Sequence, residues 1–236
     1  MRISVLTLFP EMFDALKHSI IGRALEENKF ILDIHNIRDY SKDKHLKCDD
    51  YAFGGGCGMV MTPQPIFDCI NAIDPERRAR RVYLSPKGRR LGQDLVTAYA
   101  GLGHLILLCG HYEGVDQRVI DLEIDEELSI GDYVLTGGEL AAMVVIDGIA
   151  RYLPGVLGSE QSTDEESFSN GLLEYPQYTR PQTFNGLSVP EVLTSGHHGN
   201  VKKWRLEQSV TITKKMRKDL YRKFTARNGK ESGKEK

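Results

Sequence analysis

Three glycine-bearing segments hold the residues best suited to grip a small ligand. They are Ser85-Pro86-Lys87-Gly88, Gly110-His111-Tyr112-Glu113-Gly114-Val115-Asp116, and Ser129-Ile130-Gly131-Asp132-Tyr133-Val134-Leu135-Thr136-Gly137-Gly138-Glu139. Each mixes apolar and exposed polar side chains with glycine, which allows unusual backbone angles or close approach of a ligand. A nucleoside needs that mixture: apolar walls for the base and backbone groups for its polar edge. In any one segment the glycines read better as plain turns; three such segments in one half of a sheet favour a shared site. No GxxxxGK[ST] pattern occurs and no GxGxxG follows the first apolar stretch, which argues against a P-loop or a dinucleotide turn. Gly54-Gly55-Gly56-Cys57-Gly58 lacks a preceding apolar strand. It reads as a flexible loop that could admit a bulky planar substrate.

The elements that must position these segments follow from hydrophobic period. Residues 2–8 read as a buried strand, 10–17 and 19–28 as helices, and 30–37 alternates like a strand. A helix is expected over 64–73 after two prolines, a short buried strand at Val82-Tyr83-Leu84, a helix over 92–101 and a second buried strand from His104 to Cys109. Leu140 to Leu153 is a strongly apolar helix, too apolar all round to face water. Apolar strands alternating with helices predict a parallel α/β sheet covered on both faces. In such sheets ligands sit beyond the carboxyl ends of the strands, and the three segments are expected to fall there, the third just before the long apolar helix.

The 236 residues suffice for one large domain and a small second one. No apolar run approaches the ~18 residues that would span a bilayer, so no membrane association is expected. The first ten residues are too soon followed by Pro10, Glu11 and Asp14 to read as a signal peptide. The four cysteines have no CxxC spacing, so neither a zinc site nor a disulfide framework is indicated, and a reducing cytoplasmic setting fits. The net charge of −2 hides an asymmetry: residues 199–236 carry thirteen Lys/Arg against four Asp/Glu, and residues 1–198 eighteen against twenty-nine. A basic end on an acidic body suggests a foothold for a polyanion, or else a solvated helical face with a frayed tail from Gly229 to Lys236. The polar, acidic run from Ser159 to Asn170 reads as a linker that orders on binding. The expected organisation is therefore a catalytic domain over 1–158, a flexible linker over 159–170 and a helical domain over 171–236, with helical patterns around 190–196, 199–213 and 216–226.

Taken in order, the three segments join further signatures: Leu6-Thr7-Leu8-Phe9-Pro10-Glu11-Met12-Phe13, Asp49-Asp50 before the glycine loop, Pro154-Gly155-Val156-Leu157-Gly158 and Tyr175-Pro176-Gln177-Tyr178-Thr179-Arg180-Pro181. From Met1 to about Trp204 the chain resembles the bacterial tRNA (guanine-N1)-methyltransferases that modify guanosine 37 beside the anticodon. These belong to the trefoil-knotted (SPOUT) methyltransferase superfamily. The resemblance implies that the three loops form a deep trefoil knot, an exception to the rule of unknotted chains. It implies that S-adenosyl-L-methionine binds there bent, and that the protein is a homodimer whose active sites each use both subunits.

The same resemblance distributes roles. It places the adenosine of the donor against Ile130, Tyr133 and Leu135, with backbone near Leu84, Gly110, Gly131 and Gly138 meeting its polar edges. Ser85, Pro86, Tyr112, Gly114, Ser129, Asp132, Val134 and Gly137 complete the expected donor site. Arg151 matches an essential arginine, and as a bare sequence feature reads as a helix-terminal cation. The family's general base is an aspartate directly before Ser-Phe in the linker; here that position is Glu166, before Ser167-Phe168, with Asp164 a second candidate. Glu113 matches a glutamate that orients the donor or helps hold a magnesium ion, and no metal ligand set is otherwise defined. Asp50 and the loop with Gly55, Gly56 and Gly58 are expected to hold the target guanine. Lys202, Lys203, Arg205, Lys214 and Lys215 are candidates for phosphate contacts. Two other readings stand beside this one: a knotted methyltransferase acting on a ribose 2′-hydroxyl, and a catalytically silent RNA-binding protein.

Overall fold

A computed structural model of the protein describes residues 1–158 and 165–231, with side chains as far as Arg227. The chain divides into two compact units, Met1–Glu160 and Gln161–Lys236.

The first unit is built on five parallel strands: β1 (Arg2–Thr7), β2 (Ile31–Asn36), β5 (Arg80–Arg90), β6 (His104–Cys109) and β7 (Glu126–Ser129). Their order across the sheet is β2-β1-β6-β5-β7. Successive side chains of a strand point to opposite faces, and the sequence exploits this. Ile3, Val5, Val82, Leu84, Leu105 and Leu107 pack on one face against α1 (Ser19–Glu26), α3 (Gln93–Ala100) and α5 (Glu139–Ala150). Leu6, Tyr83, Ile106 and Leu108 pack on the other against α2 (Pro63–Ile73), with Val119 of α4 (Gln117–Glu123). Both faces are covered, as the continuous apolar strands predict.

The helical pattern over 10–17 forms a 3-10 helix, Pro10–Lys17. Several details depart from expectation. The short strand expected at 82–84 is an eleven-residue strand with an irregularity: Leu84 and Arg89 both stand opposite Leu128. Ser85 to Gly88 is therefore a bulge within β5, not a loop after it. Pro86 has no N–H to give to a ladder, and at Gly88 a Cβ would overlap the backbone of Glu127 and Leu128. The strand β7 and the short helix α4 carry too few residues for a clear period; pairing with β5 and packing under the sheet create them. A small hairpin, β3 (Asp49–Tyr51) with β4 (Met59–Met61), frames the glycine loop.

The second unit holds α6 (Glu191–Thr194), α7 (His198–Met216) and α8 (Lys218–Glu231), preceded by a two-stranded hairpin of β8 (Thr183–Phe184) and β9 (Leu187–Ser188). Asn185 and Gly186 turn that hairpin with positive φ of 49° and 79°, the angles an Asn-Gly turn supplies cheaply. Of the segment 159–170 expected as a linker, 159–164 lie outside the described residues, and 165–170 form turns closed by Phe168 N–H to Leu172 O at 2.7 Å and Ser169 N–H to Glu166 O at 3.2 Å. Helix α8 runs to Glu231, two residues past the glycine where a frayed tail was expected. No helix of the described residues is long and apolar enough to cross a membrane.

Candidate active site

β6, β5 and β7 are neighbours, so the segments at their carboxyl ends meet. They enclose a cavity of about 260 Å³ in the first unit. Every residue expected to touch the donor, from Leu84 to Gly138, lines it except Asp132. The Asp132 carboxylate is exposed and pairs with Arg90 at 3.3 Å. Glu113 also lines the cavity, together with Tyr83, Lys87, His111, Gln117 and Glu127, which the sequence reading did not single out. Lys87 and His111 lie inside the quoted motifs, so position within them was the available signal. Tyr83 carried none, because it reads as a strand residue.

Close backbone approach explains the glycines. A Cβ on Gly138 would lie 2.7 Å from Cys109 Cα, and the Gly138 N–H donates to Gly110 O at 2.9 Å, so the third loop is stitched to the end of β6. Gly110 itself leaves room for the Tyr83 hydroxyl, 2.7 Å from where its Cβ would be. Tyr112 adopts a left-handed φ of 56°, a conformation non-glycine residues hold only when their surroundings impose it. Tyr112, Tyr133, Val134 and Leu135 all remain exposed around the opening. Such unfilled apolar surface beside backbone polar groups suits a nucleoside.

Burial, with Glu139 nearby, pushes the Cys109 thiol well above its ordinary range, so it is no thiolate nucleophile. Burial likewise pushes up the Tyr83 phenol, with Glu127 adding to the shift and a backbone hydrogen bond from Val115 opposing it. Among the described residues no group of three His, Cys, Asp or Glu side chains is placed to hold a metal ion.

The β3–β4 hairpin is fastened to the second loop. Glu113 N–H donates to Met59 O at 3.0 Å, Met61 N–H to Gly114 O at 2.9 Å, and Asp116 N–H to Met61 O at 3.0 Å. At Gly58 a Cβ would press on the Glu113 side chain. Gly54, Gly55 and Gly56 have positive φ and open space around them, and Asp50 is exposed on β3. The hairpin also presents Tyr51 largely and Phe53 fully to solvent, rings that sequence reasoning passed over and that can stack on a planar base.

Arg151 stands at the C-cap of α5, half-buried. Glu166 lies in the second unit, half-buried in the turn before Ser167-Phe168. Asp164 lies outside the described residues. Lys202 and Lys203 are exposed on α7. Arg205 is different: its guanidinium pairs with Glu165 at 3.1 Å and stacks over the Tyr175 ring at 4.7 Å. That arrangement ties the 165–175 segment to α7.

Fold and site define a parallel α/β protein with a nucleoside-sized cavity at the carboxyl ends of three adjacent strands. The family described as tRNA (Guanine-1)-methyltransferase TrmD matches residues 1–223, and the chain belongs to it. Among curated proteins it is similar to a tRNA (guanine-N(1)-)-methyltransferase of Clostridium novyi, 55% identical over 95% of this chain and 93% of the relative. Proteins of the same name from Clostridium beijerinckii and Ruminiclostridium cellulolyticum are 57% and 55% identical, covering 95% and 97% of this chain and 94% and 99% of theirs.

Proposed function

We propose that this protein transfers a methyl group from S-adenosyl-L-methionine to N1 of guanosine 37 in tRNA, in the cytoplasm. The observation that carries the reading is the single cavity made by the three segments, in a chain that belongs to the tRNA (Guanine-1)-methyltransferase family over nearly its whole length. The donor, when bound, supplies an electrophilic methyl on a sulfonium. Ile130 and Leu135 provide apolar wall for its adenosine, and Leu84, Gly110, Gly131 and Gly138 provide the backbone edge. Family membership further supports a trefoil knot formed by these segments.

Guanine N1 is protonated at neutral pH, so a base must take its proton as the N1–carbon bond forms and the carbon–sulfur bond breaks. Glu166 holds the position of that base, and Asp164 is the second candidate. Arg151 faces the charge that develops toward O6, where a fixed cation lowers the barrier. Glu113 orients the donor or shares in binding magnesium, which would need further oxygen ligands from substrate or water. Asp50, Gly55, Gly56 and Gly58 hold the guanine. Residues 1–158 carry catalysis and 171–236 bind tRNA, joined by the 159–170 segment. The active form is a homodimer, supported by the exposed Leu140 and Val144 of α5.

The deciding experiment is methyl transfer from labelled donor to purified tRNA, followed by nucleoside analysis and mapping. N1-methylguanosine at position 37 is expected. A ribose-methylated product, or donor binding without transfer, overturns the reading.

A further inference from the structure

Among the described residues two buried side-chain polar atoms have no hydrogen-bond partner, Arg205 Nε on α7 and one at the cavity that the mechanism leaves unused. His111 Nδ1 is buried without a hydrogen-bond partner, although its residue lines the donor cavity. The ring is held between Phe9 and Tyr112, each with centroids 4.8 Å away. Nearby, Glu139 is 1% exposed. Its Oε1 accepts from the Thr7 hydroxyl at 2.8 Å, and its Oε2 turns toward Gly137. A Cβ built on Gly137 would overlap Glu139 Oε2 and lie 2.7 Å from His111 Nδ1. Carboxylate and imidazole thus face one another across the position that a side chain at 137 would occupy. His111 and Gly137 are also bridged through their backbones.

We infer that His111 is a positioning residue for the methyl donor: its Nδ1–H closes onto Glu139 Oε2 when the cavity fills. The closure latches the 110–116 loop to the start of α5 and, through Thr7, to β1. Three observations converge on it. A buried unpaired nitrogen costs free energy in the state that leaves it unpaired, so a state that pairs it is favoured by that amount. The nearest buried carboxylate has one oxygen already fixed and the other turned toward the gap. Gly137 is the residue that keeps the gap clear. A ligand that draws the two loops together gains this charge-assisted bond as part of its own affinity. The inference rests on the proposed use of the cavity for S-adenosyl-L-methionine.

The test is calorimetric titration of the full-length protein with S-adenosyl-L-methionine, paired with thermal melting of the ligand-free form. His111→Phe keeps a ring between Phe9 and Tyr112 and removes Nδ1. Its donor affinity should fall roughly ten- to hundredfold, while the ligand-free melting temperature holds or rises. The loss should appear in KM for the donor and not in kcat at saturation. His111→Asn places an amide nitrogen where Nδ1 stood and should restore most of the affinity. His111→Gln places it at the Nε2 position and should not; it also carries the test if the phenylalanine variant fails to fold. Wild-type affinity in both His111→Phe and His111→Gln, or equal weakness of the Asn and Gln variants, overturns the latch. A wild-type protein that binds no donor overturns the function beneath it, and the two failures are distinguishable.

Discussion

Guanine N1 holds its proton at neutral pH, so the residue that takes it sets the rate of the proposed reaction. General-base contributions run to about 10²–10⁴-fold. Glu166→Gln should lower single-turnover methyl transfer by that order while leaving donor affinity nearly unchanged. Asp164→Asn should cost much less. Glu166→Asp should retain substantial activity, because it keeps the carboxylate and removes only one methylene. Rates are to be measured on tRNA with saturating donor. A wild-type rate for Glu166→Gln alongside an inactive Asp164→Asn would move the base two residues upstream.

Among the elements, β5 is anchored by a buried charge cluster. Arg81 is 2% exposed, pairs with Asp74 at 2.9 Å, and bonds Glu123 at the end of α4. Asp74 is the C-cap of α2, so one guanidinium ties two helices to the strand that forms the floor of the cavity. Arg81→Met would remove the buried cation shared by the two carboxylates, leaving Glu123 only the half-exposed Arg77 at 3.1 Å and Asp74 only the Arg78 and Ala79 N–H groups. That should cost about 3–5 kcal/mol, read by urea denaturation. The pH dependence follows from Asp74. Burial alone would raise its carboxyl, but the Arg78 and Ala79 N–H groups and Arg81 outweigh burial and hold it below the ordinary range. A depressed folded value stabilises above the unfolded value and is lost as pH falls through the folded one. The deficit of Arg81→Met should therefore be largest near neutrality and narrow below about pH 4. The helix α5 poses a second question at this scale. It buries Ala142, Val145, Ile146 and Ile149, yet Leu140 and Val144 are each 48% exposed. Four residues apart, they share one side of the helix. Val144→Asp should shift the protein toward monomer in sedimentation and lower activity in step. A fully active monomer at assay concentration contradicts the dimer.

At the scale of the whole molecule, charge is divided along the chain: the body is acidic and the last 38 residues basic. Phosphate contacts release counterions, so tRNA affinity should fall steeply with salt. Lys202→Ala and Lys203→Ala should each weaken binding and reduce the slope of log affinity against log salt by roughly one. Arg205→Ala should act otherwise. Its guanidinium is engaged by Glu165 and Tyr175, so the variant should lower the stability of the second unit with little change in slope. Filter binding across a salt series, with melting curves, separates the two. Equal slopes for Lys202→Ala, Lys203→Ala and wild type would remove α7 from the tRNA surface.

The amino-acid sequence by itself determined the parallel α/β class, because apolar runs such as Val82-Tyr83-Leu84 and His104 to Cys109 are stable only when covered on both faces. It also marked out the three segments that line one cavity, since glycine beside mixed apolar and polar residues carries its meaning locally. Tertiary structure alone decided how those segments combine. That Ser85 to Gly88 is a bulge depends on Gly88 pressing against β7, a contact between residues about forty positions apart. That Asp132 turns outward to Arg90, and Arg205 inward to Glu165 and Tyr175, depends on partners the chain brings near only when folded. The empty place at Gly137 between His111 and Glu139 is of the same kind. Local pattern fixes what a segment can become, while long-range packing fixes which atoms it meets.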